Sequence, residues 1–250
     1  MRKGINRDWG YFMIMSIPRV KTFVRGLDEK MEGGIPKGSV NLICGTAGTM
    51  KSSLAYSILY HNSINAGIPG LYVTLEQDPR SLLIHMEKLD MKERAVDIVS
   101  FNDIKEKVKE RRVENWIQKL SGFLKEMKDE KKYELLVLDS LNALYSLTTI
   151  EDVRAEIYFF FKSLSDLGFT SLLISEMPPE GGRYGEYGVE EFLSDGIIHL
   201  LFQRRGGILT SLERYIGIVK MRATNHDTHY FPLLYHEGGF TIYTREDLEL

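Results

Sequence analysis

Residues 45–53 read GTAGTMKSS. Gly45, four variable residues, then Lys51 and Ser52 follow the phosphate-binding pattern G-x-x-x-x-G-K-[ST], except that Met50 stands where the second glycine belongs. A stretch of this kind holds a polyphosphate. Backbone N–H groups from Gly45, Thr46, Ala47, Gly48, Thr49 and Met50, together with a helix N-terminus opened by Ser52 and Ser53, face the anion. Lys51 then reaches the outer phosphates, and the Ser52 hydroxyl ligates Mg²⁺. A glycine is obligatory only where φ is positive or a Cβ would strike the ligand. Gly45 and Gly48 are expected to carry that demand. Met50 is expected near helical dihedrals, its adaptable side chain lying over the back of the loop or against a neighbouring subunit. A chance match to the broken pattern is the competing reading.

Two apolar stretches end in acids. LYVTL runs into Glu76-Gln77, and LLVL runs into Asp139-Ser140. Ligands of open α/β sheets sit beyond the carboxyl ends of the strands. Asp139 is placed there to hold the metal with Ser52, and Glu76 to orient or deprotonate an attacking water. Gln77 can position water or bond a phosphate but cannot act as a base. Each acid also has a plainer reading, Asp139 as a helix N-cap and Glu76 as part of the turn before Pro79.

These residues need strands to carry them. Ser39–Cys44 reads as a short buried strand, and Lys51–Asn65 as a helix with Leu54, Ile58 and Leu59 on one side. Leu71–Leu75 is a second strand, a helix runs from Pro79 to about Met86, and Val96–Phe101 is a further strand. Between Asp103 and Lys132 apolar residues recur at helical spacing within a mixed-charge run. That run reads as the solvated face of one or two helices. Leu135–Leu138 is a strand, Asp152–Leu167 a helix and Ser171–Ser175 a strand. Ile197–Gln203, Glu213–Met221 and Gly239–Tyr243 read as antiparallel strands with short turns. Repeated βα units followed by these strands predict an α/β fold with a mostly parallel central sheet, flanking helices and C-terminal antiparallel strands.

Composition narrows the function. The net charge of −3 gives no general attraction to nucleic acid or anionic lipid. The single Cys44, in an apolar run, excludes an intrachain disulfide and points to a reducing, cytoplasmic setting with the thiol buried. No apolar run approaches the ~20 residues that span a membrane. Residues 1–16 are basic, then briefly apolar. They lack a full apolar region and cleavage site, so they are read as an extension, possible start codons falling at Met13 and Met15, and residues 17–250 as one domain.

At this point the chain resembles a known family, the RecA-like P-loop ATPases of the KaiC group. The likeness is carried by GLDE, GGIPKGS and the phosphate loop, then PGLYVTLEQDP, LLVLDSLNAL, RYGEYGVEEFLSDGIIHL and KMRATNHDTHYFPL, in order. It implies a RecA-like core binding ATP or ADP with Mg²⁺, assembled as a homo-oligomeric ring, commonly of six, with the nucleotide between subunits. By that likeness Glu76 matches the first of two paired catalytic glutamates, and Gln77 departs from the second. Lys220 and Arg222 match residues that reach the adjacent subunit's nucleotide, with His226 near its base or ribose. Cations two apart on a strand point to one side and would neutralise phosphate charge as an arginine finger does. The chain has one such domain where the clock proteins have two. Its RYGEYGVEEFLSDG resembles the first of these, so neither autophosphorylation nor timekeeping is expected.

The function expected is slow Mg²⁺-dependent ATP hydrolysis in a ring with a regulatory or signalling role toward a further protein. One alternative is a nucleotide-binding scaffold that barely hydrolyses, which Gln77 and Met50 favour. Another is a DNA-acting recombinase, using Arg183, Arg204 and Arg205 with Gly206-Gly207. Without aromatic stacking partners those arginines read as solvated turns.

Overall fold

The computed structural model describes residues 17–108, 115–178, 181–206, 211–236, 238–244 and 247. The N-terminal extension and Gly207 lie outside the described residues. β1 (Arg19–Val20) pairs with β2 (Ile35–Pro36) in a small hairpin-like sheet ahead of the main one. Then follow β3 (Val40–Gly45), α1 (Lys51–Ala66), β4 (Gly70–Thr74), α2 (Pro79–Lys88) and β5 (Asp97–Ser100). The mixed-charge region forms two helices, α3 (Phe101–Val108) and α4 (Trp116–Lys131). Next come β6 (Leu135–Asp139), α5 (Leu141–Ser146), α6 (Val153–Asp166) and β7 (Thr170–Glu176). The chain closes with α7 (Glu190–Leu193), β8 (Gly196–Arg205), β9 (Ser211–Met221), β10 (Tyr230–His236) and β11 (Gly239–Ile242).

The main sheet runs in the order β11-β10-β9-β8-β3-β7-β6-β4-β5. From β8 to β5 all neighbours are parallel, and from β8 outward to β11 all are antiparallel. Register decides what meets at the sheet's edge. Gly45 pairs with Glu176 on one side and Leu200 on the other, while Thr74 pairs with Asp139. The chain after β3, after β4 and after β6 therefore leaves from one edge.

Both faces of the parallel strands are covered, which is why those strands read as unbroken apolar runs. On one face α1 packs against Leu82 and Met86 of α2 and against Leu233 and Phe240 of β10 and β11. It is buried on nearly every side, including Tyr56, Tyr60 and Asn62, rather than along one stripe. On the other face Phe123 and Leu124 of α4 and Phe160 and Leu164 of α6 cover the sheet. Cys44 is fully buried, and burial pushes its thiol well above the ordinary range. Among the described residues no helix is long and apolar enough to cross a membrane.

β1, β2, α7, β10 and α5 escape sequence reasoning, and for the last two the physical reason is plain. β10 carries Pro232, which has no N–H to give a ladder and so argues against a strand. Its carbonyl nevertheless accepts from Tyr243 N (3.2 Å), and it sits opposite Tyr215. The six-residue α5 is too short to show helical periodicity.

Candidate functional site

The phosphate loop is the turn between β3 and α1. Gly45 is forced to be glycine by close approach, since a Cβ there would lie 2.2 Å from the Leu200 carbonyl oxygen. Gly48 has φ +81, a backbone that side chains rarely adopt, and a Cβ there would make only ordinary contact with the Phe202 ring. Both glycines carry the demand expected of them. Met50 corrects the sequence expectation. It is not near-helical but left-handed, with φ 72 and ψ 30, as the N-cap of α1. The position keeps the conformation of the missing glycine, and a methionine holds it while its side chain packs on the α1-face core.

The loop is braced from within. Thr49 Oγ1 donates to the Thr46 carbonyl (2.8 Å), and Lys51 Nζ donates to the same oxygen (3.0 Å). Burial holds the Lys51 ammonium below the ordinary lysine range, opposed by the carboxylates of Glu176, Asp139 and Glu76. These groups line a cleft of about 550 Å³, together with Ala47, Gly48, Ser52, Ser53, Gln77 and His85. Ser53 Oγ lies 3.2 Å from His85 Nε2. A second cavity of about 570 Å³ shares Met50 and Arg214 with the first and is walled by Pro232, Tyr235, Phe240 and Tyr243.

The plainer readings of the two acids pass to their neighbours. Ser140, not Asp139, caps α5 by accepting from Ala143 N (3.2 Å). Asp78, not Glu76, caps α2 by accepting from the N–H groups of Arg80 and Ser81, with Pro79 at the first helical position. That leaves Asp139 Oδ2 to accept from the Tyr72 hydroxyl (2.6 Å) and Glu76 Oε1 from the Ser140 hydroxyl (3.0 Å). One oxygen of each carboxylate is thereby fixed and the other left for a ligand. Tyr72 is buried beside Asp139 and Ser52, and burial with the Asp139 charge holds its phenol well above the ordinary range, so it remains a donor. The donor set of Ser52 hydroxyl and Asp139 carboxylate suits Mg²⁺, which takes one or two protein oxygens and completes its shell with phosphate and water.

Glu176, Tyr72, His85 and Arg214 are among the site residues that sequence reasoning missed. Glu176 ends β7 as Glu76 and Asp139 follow β4 and end β6, so the same signal, an acid closing a buried strand, was present. The strand was ended one residue early. Tyr72 and His85 carried no such signal, since alternation and helix position brought them there.

Lys220, Arg222 and His226 are not in this cleft. Lys220 pairs with Ile197, which in turn pairs with Leu42, and Arg222 N bonds to Asp195 O beside the start of β3. They stand at the opposite edge of the sheet, about 10–15 Å along the strands from Gly45 at ~3.3 Å per residue. Lys220 Nζ donates to the carbonyls of Glu191 (2.8 Å) and Ser194 (2.5 Å). Arg222 pairs with Asp195 (2.9 Å) and donates to Phe192 O (3.0 Å). His226 Nδ1 lies 3.4 Å from the Asp227 carbonyl. Arg183 donates to Glu186 O (3.4 Å), and Arg205 lies 3.4 Å from Glu213, both engaged within the chain.

A phosphate loop after a central parallel strand, faced by acids closing the neighbouring strands, defines a P-loop ATPase with a RecA-like core. The chain belongs to the KaiC ATPase family, whose model matches residues 20–247. It is 32% identical over 243 residues to a UPF0273 protein of Thermotoga maritima, covering 92% of this chain and 98% of that one. It is 30% identical over 242 residues to the circadian clock oscillator protein KaiC of Picosynechococcus sp., covering 92% of this chain but 45% of that protein. The chain thus spans less than half of that clock protein. A crystal structure of a KaiC-like protein from Pyrococcus horikoshii superposes with a TM-score of 0.74 at 30% identity, over 91% of this chain and 100% of that one.

Proposed function

We propose that residues 17–250 act as one Mg²⁺-dependent ATP-hydrolysing unit that works between subunits of a homo-oligomeric ring, with low turnover and a regulatory role toward a further protein. The observation that carries this is the division of the expected machinery between two edges of the sheet. Lys51, Ser52, Glu76 and Asp139 share one cleft, while Lys220 and Arg222 lie outside it, toward the other end of the strands. In a head-to-tail ring the cleft of one copy meets the cation pair of the next.

Within the cleft the loop amides and Lys51 would hold the β- and γ-phosphates. Ser52 and Asp139 would hold Mg²⁺, which when bound neutralises phosphate charge during transfer. The free oxygen of Glu76 would orient the attacking water and take its proton, while Ser140 keeps the carboxylate in place. The aromatic-walled cavity beyond Met50 gives room for the nucleoside. From the adjacent copy, Lys220 and Arg222 would stabilise the charge of the transferred group. Gln77, whose Nε2 lies 3.5 Å from Ser81 Oγ, cannot act as a base beside Glu76. That favours slow hydrolysis, and at its limit a nucleotide-binding scaffold.

Phosphate release from wild type, Glu76→Gln and Lys220→Ala tests the proposal. Equal rates in all three would reject both assigned roles. Release at background from wild type, with nucleotide still bound, would select the scaffold.

A further inference from the structure

The two edges of the sheet are joined through one short helix and one loop. α5 starts two residues after Asp139, and its second residue, Asn142, uses both ends of its amide. Oδ1 accepts from the Glu176 N–H (2.8 Å), and Nδ2 donates to Glu186 Oε2 (2.7 Å). The amide can serve these partners in one orientation only, because a flip would set its oxygen against the carboxylate and its NH₂ against an N–H. Glu176 lines the cleft together with Lys51, Glu76 and Asp139. Glu186 lies in the segment 181–189, which runs directly into α7. That segment is anchored on its α7 side by buried Glu190, whose carboxylate accepts from Tyr187 N (3.2 Å) and Val189 N (3.0 Å). Carbonyls of Glu191, Phe192 and Ser194, in and just after α7, hold Lys220 and Arg222.

We propose that Asn142 is a positioning residue that couples occupation of a subunit's own phosphate site to the placement of the cations it offers its neighbour. This rests on the ring reading above. A polyphosphate seated in the cleft that Glu176 lines repels the Glu176 carboxylate. The strand end shifts, and its N–H is bonded to the planar Asn142 amide. That amide passes the displacement to Glu186, and the 181–189 segment passes it to the carbonyls that aim Lys220 and Arg222. Each subunit would thereby report its nucleotide state to the next site around the ring.

The test is hydrogen exchange of segment 181–194 in the full chain, with and without Mg²⁺ and a non-hydrolysable ATP analogue. Wild type should show a severalfold change in exchange on binding. Asn142→Ala should keep the analogue's affinity within about twofold, lose the change in exchange, and lower kcat about tenfold with KM little altered. Asn142→Asp should behave worse than alanine, since it sets two carboxylates together. Asn142→Asp with Glu186→Gln inverts donor and acceptor, re-forms both bonds and should restore the exchange response, a rescue that mere structural support would not give. Binding by wild type with unchanged exchange at 181–194 would overturn the coupling alone, as would an undiminished response in Asn142→Ala or a failed rescue. No binding of the analogue by wild type would overturn the ATPase reading and the coupling with it.

Discussion

Lys51 and Lys220 are both held below the ordinary lysine range by burial, yet they keep opposite company. Around Lys51 stand the carboxylates of Glu176, Asp139 and Glu76, which favour its charge. Lys220 has Arg222 beside it, which adds to the cost of its charge, with Asp195 and Glu191 partly offsetting it, and it donates to two backbone carbonyls. One edge of the sheet is a cleft whose cation is matched by acids of the same chain. The other is a pair of cations tied to carbonyls in and just after α7 and to Asp195, outside that cleft. The first edge carries the phosphate loop; the second is the edge proposed to serve an adjacent copy. The comparison teaches that the proposed reading has to be tested edge by edge, since the cleft and the cation pair do not meet within one chain.

The largest expected effect comes from removing the enclosed cation. Lys51→Ala should weaken nucleotide binding about 100-fold, the loss of a charge-assisted contact of about 3 kcal/mol, and abolish phosphate release. Titration calorimetry measures the first. Lys220→Ala should leave affinity within a few fold but lower phosphate release about a thousandfold, as loss of an arginine finger does. If both variants weaken binding equally, the two edges do not differ in the way described. Mixing the two variants sharpens the point. Each lacks what the other supplies, so mixed rings should regain part of the activity while either variant alone stays inactive.

A smaller effect separates the two lysines by pH. The phosphates bind the charged form of Lys51, and burial lowers the pKa at which that charge is lost. Nucleotide affinity should therefore hold at neutral pH and weaken as pH rises through this depressed pKa, below the ~10.4 of an exposed lysine. Lys51→Arg, whose guanidinium keeps its proton, should flatten the profile even if it binds less tightly. Lys220→Met should leave the alkaline limb of binding in place. A limb that follows Lys220 instead would reverse the assignment.

What was legible in the sequence follows the same division. The cleft is built from local units, each an apolar strand ended by a chemically distinctive residue, so Lys51, Ser52, Glu76 and Asp139 could be read in order. Tyr72 could not, because its role depends on β6 lying beside β4 at a register that sets its hydroxyl on Asp139. Asn142 could not, because its two partners come from segments 34 and 44 residues away. Lys220 and Arg222 stood out only through the family likeness. A basic pair on a strand says nothing by itself about which edge of the sheet it faces. The parallel core was legible from apolar runs, whereas β10 was hidden by Pro232.

The smallest expected effect concerns the backbone on either side of the contrast. Met50, just before Lys51, and Ala223, just after Arg222, both have positive φ, 72° and 52°, where a glycine would be relaxed. An L-residue in that conformation costs about 1–2 kcal/mol. At Ala223, exposed in its turn, the side chain is a single methyl, so Ala223→Gly should raise stability by about 1 kcal/mol, net of the added freedom of the unfolded chain. At Met50 the thioether also packs on the core. Met50→Gly alone would therefore mix relief of the backbone with lost burial. Comparing Met50→Gly with Met50→Ala removes that ambiguity, since both lose the side chain and only one keeps the strain. The glycine variant should be the more stable by about 1 kcal/mol in urea unfolding. Equal midpoints at Met50 with a clear gain at Ala223 would mean that the phosphate loop does not hold the left-handed turn in solution. The substitution at the loop's second glycine would then have changed its shape rather than been absorbed by it.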